Sequence, residues 1–116
     1  MPQVLIDHTA GLDVDWPSLT EMLHRVVPEV IGAEVAACKT VRRPAELVLV
    51  GDGGSGEALV LVEVKILAGR DVGKRAELTR RVLDLLRAYV TVPAAFGVQV
   101  TELDRDTYRF EHHPAR

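Results

Sequence analysis

Pro2 is the residue of this chain with the most distinctive possible chemistry. It follows Met1, and methionine aminopeptidases usually remove an initiator methionine when a small residue comes next. The new terminus would then be the secondary amine of proline, whose pKa responds to burial and to neighbouring charges. An amine held at a fixed place can serve as a general base. A purely structural interpretation also exists, because proline is tolerated at the first position of a strand, where its missing N–H breaks no ladder.

The residues behind Pro2 are suited to hold such an amine in place. Val4, Leu5 and Ile6 form an apolar run, which is typical of a buried strand. We therefore predict a first strand over 2–7 with the proline nitrogen at its start.

Length and composition limit the possible classes of protein. The chain has 116 residues, so we expect a single domain over 1–116. With a net charge of −3 and no basic patch or aromatic stripe, the sequence predicts no nucleic acid partner. Cys38 is the one cysteine, which excludes an internal disulfide and a cysteine-based zinc site. The apolar runs are too short for a membrane span and no signal peptide is evident, so we expect a cytoplasmic protein without a membrane partner.

An internal repeat divides the chain into two halves. The sequence Ala-Gly-Leu-Asp-Val at 10–14 is followed 58 residues later, half the chain length, by Ala-Gly-Arg-Asp-Val at 68–72. An apolar run precedes each copy and a helical pattern follows it. This arrangement predicts pseudo-repeats over 1–58 and 59–116.

The first half contains one predicted helix. Asp15 is a candidate N-cap with Pro17 in the first turn, and Ser18 marks a second possible start. Pro28 should bend or end the helix, and Gly32 should stop it. One apolar helical face is formed by Leu19, Leu23, Val26 and Val30.

Extended structure is predicted on both sides of a glycine-rich loop. A second strand should lie within 35–43, with Pro44 interrupting it and extended structure resuming over 47–50. The loop 51–56 fits the pattern G-x-G-x-x-G, but a dinucleotide site needs a helix directly afterwards. A third strand over 58–66 follows instead, so the loop is interpreted as a flexible connection.

The second half repeats the strand–helix–strand order. The third strand alternates, with Val60, Val62, Val64 and Ile66 on one face. Asp71 is the predicted cap of a helix over 72–89 that has a wide apolar face. A fourth strand is predicted over 96–103, and a short extra strand over 107–110 is possible.

The resulting order, β-α-β-β-α-β, fits two architectures. One is the ferredoxin-like fold. The other consists of two parallel β-α-β units, because each half carries a crossover long enough to join parallel neighbours. The pattern alone does not separate these two folds.

The opening Met1-Pro2, the two halves of 58 residues and the stretch from Lys65 to Arg70 resemble the tautomerase superfamily, and most of all the 5-carboxymethyl-2-hydroxymuconate Δ-isomerases. The resemblance covers almost the whole chain. It implies an α+β (or α/β) fold in which a pseudo-two-fold axis relates the two repeats and two helices cover a four-stranded mixed sheet. It also implies a homotrimer that uses no metal or organic cofactor.

The resemblance also implies roles for individual residues. Pro2 takes the position of the catalytic base, and Arg70 that of an arginine binding a substrate carboxylate. Lys39 falls where the family has its other arginine, which keeps the charge but loses the two-pronged grip of a guanidinium. Arg42 or Arg43 is the alternative source of that guanidinium, and Arg42 is the substrate-binding candidate of the two. Without the family, these cations would be interpreted as surface charge.

The implied activity is an isomerase that moves a proton on a small unsaturated keto acid or a hydroxymuconate-type dicarboxylate. The position equivalent to Pro2 in the second half is Val60, inside the chain, so we expect one site per chain. Two alternatives stay open at this point. One is a non-catalytic trimeric ligand-binding member of the same fold, and the other is a ferredoxin-like small-molecule-binding module.

Overall fold

A computed structural model describes residues 1–114 of the chain. These residues form four strands and two long helices, in the order β1 (Gln3–Thr9), α1 (Trp16–Ile31), β2 (Lys39–Ala45), β3 (Ala58–Leu67), α2 (Val72–Tyr89) and β4 (Ala94–Leu103). A single 3₁₀ turn, Val35–Ala37, precedes β2. No helix within the described residues combines the length and the apolar content that a membrane crossing needs.

The strands form one mixed sheet in the order β2-β1-β3-β4. Strand β1 pairs in parallel with β2, and β3 pairs in parallel with β4. The two halves meet through the antiparallel pairing of β1 with β3. Because the first and second strands are adjacent and parallel, the ferredoxin-like alternative is wrong. The predicted fold of two β-α-β units is confirmed.

Both helices cover the same face of the sheet. The strand residues that point to the helices are buried, namely Val4, Ile6, Val60, Val62, Val64 and Ile66. The predicted face of the third strand is thereby confirmed. The neighbouring positions Leu5, Leu61 and Glu63 alternate to the other face, which remains uncovered in the single chain.

Helix α1 begins as predicted but continues past its proline. The Asp15 side chain accepts a hydrogen bond from the Ser18 N–H at 3.1 Å, and Gly32 adopts the left-handed conformation at the end. Pro28 does not end the helix. It lies in the last turn, and its carbonyl accepts the N–H groups of Gly32 and Ala33.

Helix α2 has the predicted bounds and cap, since Asp71 accepts from the Lys74 N–H at 2.8 Å. Its fully buried stripe is narrow and consists of Leu78, Val82 and Leu86. The expected wide apolar face is therefore mostly half-buried.

Three predictions for extended segments are wrong. Pro44 lies within β2 and does not interrupt it, because β2 is an edge strand where a missing N–H can face away from the ladder. The segments 47–50 and 107–110 form no strand. Leu47 is 86% exposed, and Val48 and Val50 are only half-buried, so little packing holds the first of these segments extended.

Candidate functional site

Pro2 is buried at the start of the central pair of strands. Its side chain is among the fully buried ones, whereas Met1 is only partly buried. The Pro2 carbonyl accepts a hydrogen bond from the Lys39 N–H at 3.1 Å. The proline is thus tied to the first residue of β2, and its nitrogen has a fixed position in the fold.

Sheet topology brings two predicted cations to this point. The parallel register places Lys39 beside Gln3, at the beginning of β1. The antiparallel register places Lys65 on the other side of Gln3, so β3 ends where β1 begins. The chain then continues from the end of β3 to Arg70. Residues 39 and 70 therefore approach the amino terminus from opposite sides.

The Lys39 side chain contacts Met1 directly. Its Nζ donates to the Ala37 carbonyl at 2.7 Å and to the Met1 Sδ at 3.1 Å. The ammonium also lies 4.1 Å from the ring centroid of Phe110, within the range of a cation–π contact.

The Arg70 guanidinium joins two elements of the fold. Its Nε and Nη2 donate to the Ile31 carbonyl at 3.3 and 3.1 Å, and its Nη1 donates to the Leu67 carbonyl at 3.3 Å. Ile31 is the last residue of α1, where carbonyls lack helical partners and a positive charge is favourable. Arg70 therefore caps α1 and also carries its charge to the amino terminus.

A third cation, Arg105, was not identified from the sequence. It follows β4, and its Nε donates to the Ala68 carbonyl at 2.8 Å. Tyr108 lies in the same segment, and its Oη accepts a hydrogen bond from the Gln3 Nε2 at 2.6 Å. Arg105 thus contacts the residue that follows β3, and Tyr108 contacts the beginning of β1. No local sequence pattern signals this contact, because its partners are 105 positions apart.

These groups change the electrostatics of the amino terminus. Burial lowers the pKa of the Met1 α-amine, and the positive charges of Arg70, Lys39 and Arg105 lower it further, in that order. Burial has the opposite effect on the Cys38 thiol, whose pKa is raised. A raised thiol pKa does not favour a nucleophile, so Cys38 is a structural residue of this site.

Lys39, Arg70 and Arg105 form no ion pair with a carboxylate of residues 1–114. Each of the ion pairs formed among residues 1–114 uses another arginine, namely Arg43, Arg75, Arg81 or Arg87. Lys39, Arg70 and Arg105 instead bond main-chain carbonyl oxygens. The arrangement therefore has net positive charge available for an anion, although the whole chain is acidic.

The other two candidate cations lie elsewhere. The Arg42 Nη1 is 3.0 Å from the His8 Nε2, and its guanidinium lies 5.0 Å from the Trp16 ring centroid. Arg43 forms a two-pronged ion pair with Asp7, with both N–O distances at 2.9 Å. The structure therefore brings Pro2, Lys39 and Arg70 together but does not bring Arg42 or Arg43 to them.

One depression that is lined partly by polar groups lies apart from the amino terminus. It has a volume of about 360 Å³ on the uncovered sheet face and is lined by Asp7, Leu61, Glu63, Gly97 and Gln99, among others. Its chemistry is mixed and acidic, which does not suit an anion. Among the described residues, no three His, Cys, Asp or Glu side chains are grouped closely enough to hold a metal ion.

Solved structures of the tautomerase superfamily have this fold. A 5-carboxymethyl-2-hydroxymuconate isomerase from Deinococcus radiodurans superposes with a TM-score of 0.83, covering 97% of this chain and 90% of that chain at 15% identity. A malonate semialdehyde decarboxylase inhibited by 3-bromopropiolate superposes with a TM-score of 0.73, covering 97% of this chain and 91% of that chain at 16% identity. A fused symmetric trimer of 4-OT superposes with a TM-score of 0.68, covering 86% of this chain and 85% of that chain at 20% identity.

The predicted resemblance to the tautomerase superfamily is confirmed at the level of the fold. The solved structures that share this fold include isomerases and a decarboxylase, so the fold is one that supports enzymes. No protein-family profile matches the chain, and no curated protein sequence matches it either.

Proposed function

We propose that this chain, after removal of Met1, is a cofactor-independent isomerase of the tautomerase type. Its substrate is a small unsaturated keto acid or a hydroxymuconate-type dicarboxylate. The observation that carries the proposal is the buried Pro2 with Lys39 and Arg70 beside the amino terminus. The folds of known isomerases support the same assignment.

In the proposed reaction the neutral Pro2 nitrogen takes a proton from a carbon next to the substrate carbonyl. The electrons of that C–H bond move into the conjugated system and give a dienolate. Lys39 and Arg70 stabilise the negative charge that develops on the enolate oxygen and bind the carboxylate. The protonated proline then returns its proton to a different carbon, so no atom or electron is gained or lost overall.

The lowered pKa of the terminal amine supports this role. An amine must be unprotonated to accept a proton, and burial together with nearby positive charge shifts the α-amine toward that form. We propose that the same surroundings act on the Pro2 amine once Met1 is gone. Lys39 then also loses its contact with the Met1 sulfur, which frees one donor for substrate.

We further propose that the active form is a homotrimer. The single chain leaves one sheet face uncovered, and large apolar side chains are exposed on or near it, namely Val41, Leu47, Leu49 and Leu61. An apolar area of this kind favours association. A 4-OT protein of this fold is described as a symmetric trimer.

The test begins with the intact mass of the untagged protein expressed from its own start codon. A mass lacking one methionine means that the Pro2 amine exists. Ketonisation of an unsaturated enol acid is then followed by ultraviolet absorbance for the wild type and for Pro2→Ala, with Met1 removed from both. Alanine leaves a primary amine in place of the ring-constrained secondary amine of proline, and this change should reduce kcat by about 10²-fold. Equal rates for the two proteins would refute the proline base.

A second candidate is a non-catalytic ligand-binding protein of the same fold. The contact between Lys39 Nζ and Met1 Sδ favours it, because a retained Met1 would fill the site and leave the Pro2 nitrogen as an amide. A mass that retains methionine, together with anion binding and no turnover, would support this candidate in place of the isomerase.

A further inference from the structure

We propose that Arg105 is a substrate-binding residue of the amino-terminal site and that, with Lys39 and Arg70, it selects ligands carrying two carboxylates. This proposal rests on the site used by the proposed isomerase, but it concerns binding and does not need turnover. The proposal assigns linear dicarboxylates to the site as its ligand class. It also gives Arg105 a role in specificity, although Arg105 lies outside the motif that the two sequence repeats share.

The position of Arg105 follows from the end of the sheet. Ala68, just after β3, donates its N–H to the Leu103 carbonyl at 2.9 Å, and its own carbonyl accepts from the Arg105 Nε. The guanidinium then lies over Gly69, where an added Cβ would come within 3.5 Å of Arg105 Nη2. Gly69 has a φ of +130°, which disfavours any side chain there. Arg105 is therefore next to the residue that precedes Arg70.

The segment that carries Arg105 is held at both of its ends. The Asp104 carbonyl accepts the N–H groups of Thr107 and Tyr108 at 3.2 and 3.0 Å. The Asp104 side chain accepts the Asp106 N–H at 2.8 Å. Tyr108 is then fixed to β1 by its hydrogen bond with Gln3. A turn anchored in this way limits the freedom that Arg105 would lose on binding a ligand.

The free donors of the cations favour Arg105 as the carboxylate clamp. Within residues 1–114, Arg105 donates a hydrogen bond through Nε alone. Both of its Nη groups remain available, and this pair can grip a carboxylate with two parallel hydrogen bonds. Arg70 uses Nε, Nη1 and Nη2 on main-chain carbonyls. Arg70 is thus the more constrained of the two guanidinium groups.

The number of charges at the site indicates a dianion. Lys39, Arg70 and Arg105 each contribute a positive charge to the surroundings of the terminal amine, and no carboxylate of the described residues pairs with them. One carboxylate would leave most of this charge uncompensated. Two carboxylates on one ligand, one at Lys39 and Arg70 and the other at Arg105, would balance it better.

The test compares two ligands that differ by one charge. Equilibrium dissociation constants are measured by calorimetry for adipate and for hexanoate, using wild type, Arg105→Gln and Arg105→Lys. Arg109→Gln is the matched control, because Arg109 lies in the same segment and bonds only Asp106 and Tyr108 carbonyls among the described residues. Thermal unfolding of each variant verifies that the fold is retained.

We expect Arg105→Gln to weaken adipate binding by about tenfold or more and hexanoate binding by about twofold or less. Arg105→Lys should fall between wild type and Arg105→Gln for adipate, and Arg109→Gln should match wild type. Equal weakening of both ligands by Arg105→Gln, or no weakening of adipate, would overturn the proposal. An adipate affinity no better than that of hexanoate in wild type would overturn it too.

The two proposals can fail separately. If Arg105→Gln selectively loses adipate binding while the wild-type protein shows no turnover, the isomerase is contradicted and the dicarboxylate clamp is supported. Turnover that depends on Pro2, combined with unchanged adipate binding in Arg105→Gln, would support the isomerase and contradict the clamp.

Discussion

Replacing Arg70 tests whether this side chain holds the fold together in addition to carrying charge. The guanidinium links the end of α1, through Ile31, to the end of β3, through Leu67. Lysine would keep the charge but can bond one of these carbonyls in place of both. Glutamine would remove the charge and leave at least one carbonyl without a protein donor. The two substitutions therefore separate geometry from charge.

The expected magnitude follows from the two acceptors. A hydrogen bond from a charged donor contributes roughly 1.5–3 kcal/mol, and the half-buried position of Arg70 allows water to replace part of it. We take the lower end of that range for each carbonyl. Arg70→Lys should lower the free energy of unfolding by about 1.5 kcal/mol and Arg70→Gln by about 3 kcal/mol.

Urea unfolding followed by circular dichroism measures this change. The midpoint should fall while the slope with denaturant stays constant, since the surface exposed on unfolding is the same. Arg80→Lys and Arg80→Gln are the controls, because Arg80 is an exposed residue of α2 and such changes usually stay within about 0.5 kcal/mol. If the Arg70 variants lose no more stability than the Arg80 variants, the bridging role of Arg70 is refuted.

Further predictions concern titration, the core and assembly. Burial and nearby cations lower the pKa of the Met1 α-amine, and we propose that they act in the same direction on the Pro2 amine once Met1 is removed. On that proposal kcat/KM should rise with pH as the Pro2 amine loses its proton, and Lys39→Met should move the midpoint to higher pH. An unmoved midpoint would contradict the electrostatic argument. In protein that retains Met1, the α-amine binds its proton more tightly in the unfolded chain than in the folded one. The free energy of unfolding, measured with urea, should therefore rise with pH between the lowered pKa of the folded state and the ordinary pKa of the unfolded state. Acetylation of the amine should remove this pH dependence. Leu78→Ala empties a fully buried position of α2 and should cost about 2–5 kcal/mol in urea unfolding, and a cost below 1 kcal/mol would contradict the assigned core. Leu61→Asp should shift a trimer toward monomer in light scattering, because Leu61 lies on the uncovered sheet face; an unchanged mass would argue against association through that face.

The elements with strong local signals were the ones predicted well. Helix α2 has its cap at Asp71 and regular apolar spacing, and both of its bounds match the prediction. The predicted stop of α1 at Gly32 is confirmed, but an end at Pro28 is wrong. A proline in a sequence signals a break, and the sequence does not show that Pro28 lies in the last turn. Pro44 misled the prediction for β2 because the sequence does not reveal which strands lie at an edge.

The candidate site was predictable only in part. Pro2 was identified from its position, whereas Lys39 and Arg70 were paired through the resemblance and not through any local pattern. Arg105 was missed because its contact with Ala68 depends on β4 pairing with β3. Long-range pairing of this kind carries no signal in the spacing of nearby residues.

The antiparallel join between β1 and β3 has a consequence for how chemistry is distributed over the molecule. The start of β1 lies beside the end of β3, and the start of β3 lies beside the end of β1. These two places are equivalent corners of the sheet, one for each half of the chain. Only one corner has the terminal residues and Arg70. At the other corner, Val60 and Leu12 occupy the positions equivalent to Pro2 and Arg70, and both pack into the core. In the proposed trimer, cyclic symmetry would place the three corners that contain Pro2 at one end of the symmetry axis. The three equivalent corners at the other end would have no catalytic residues.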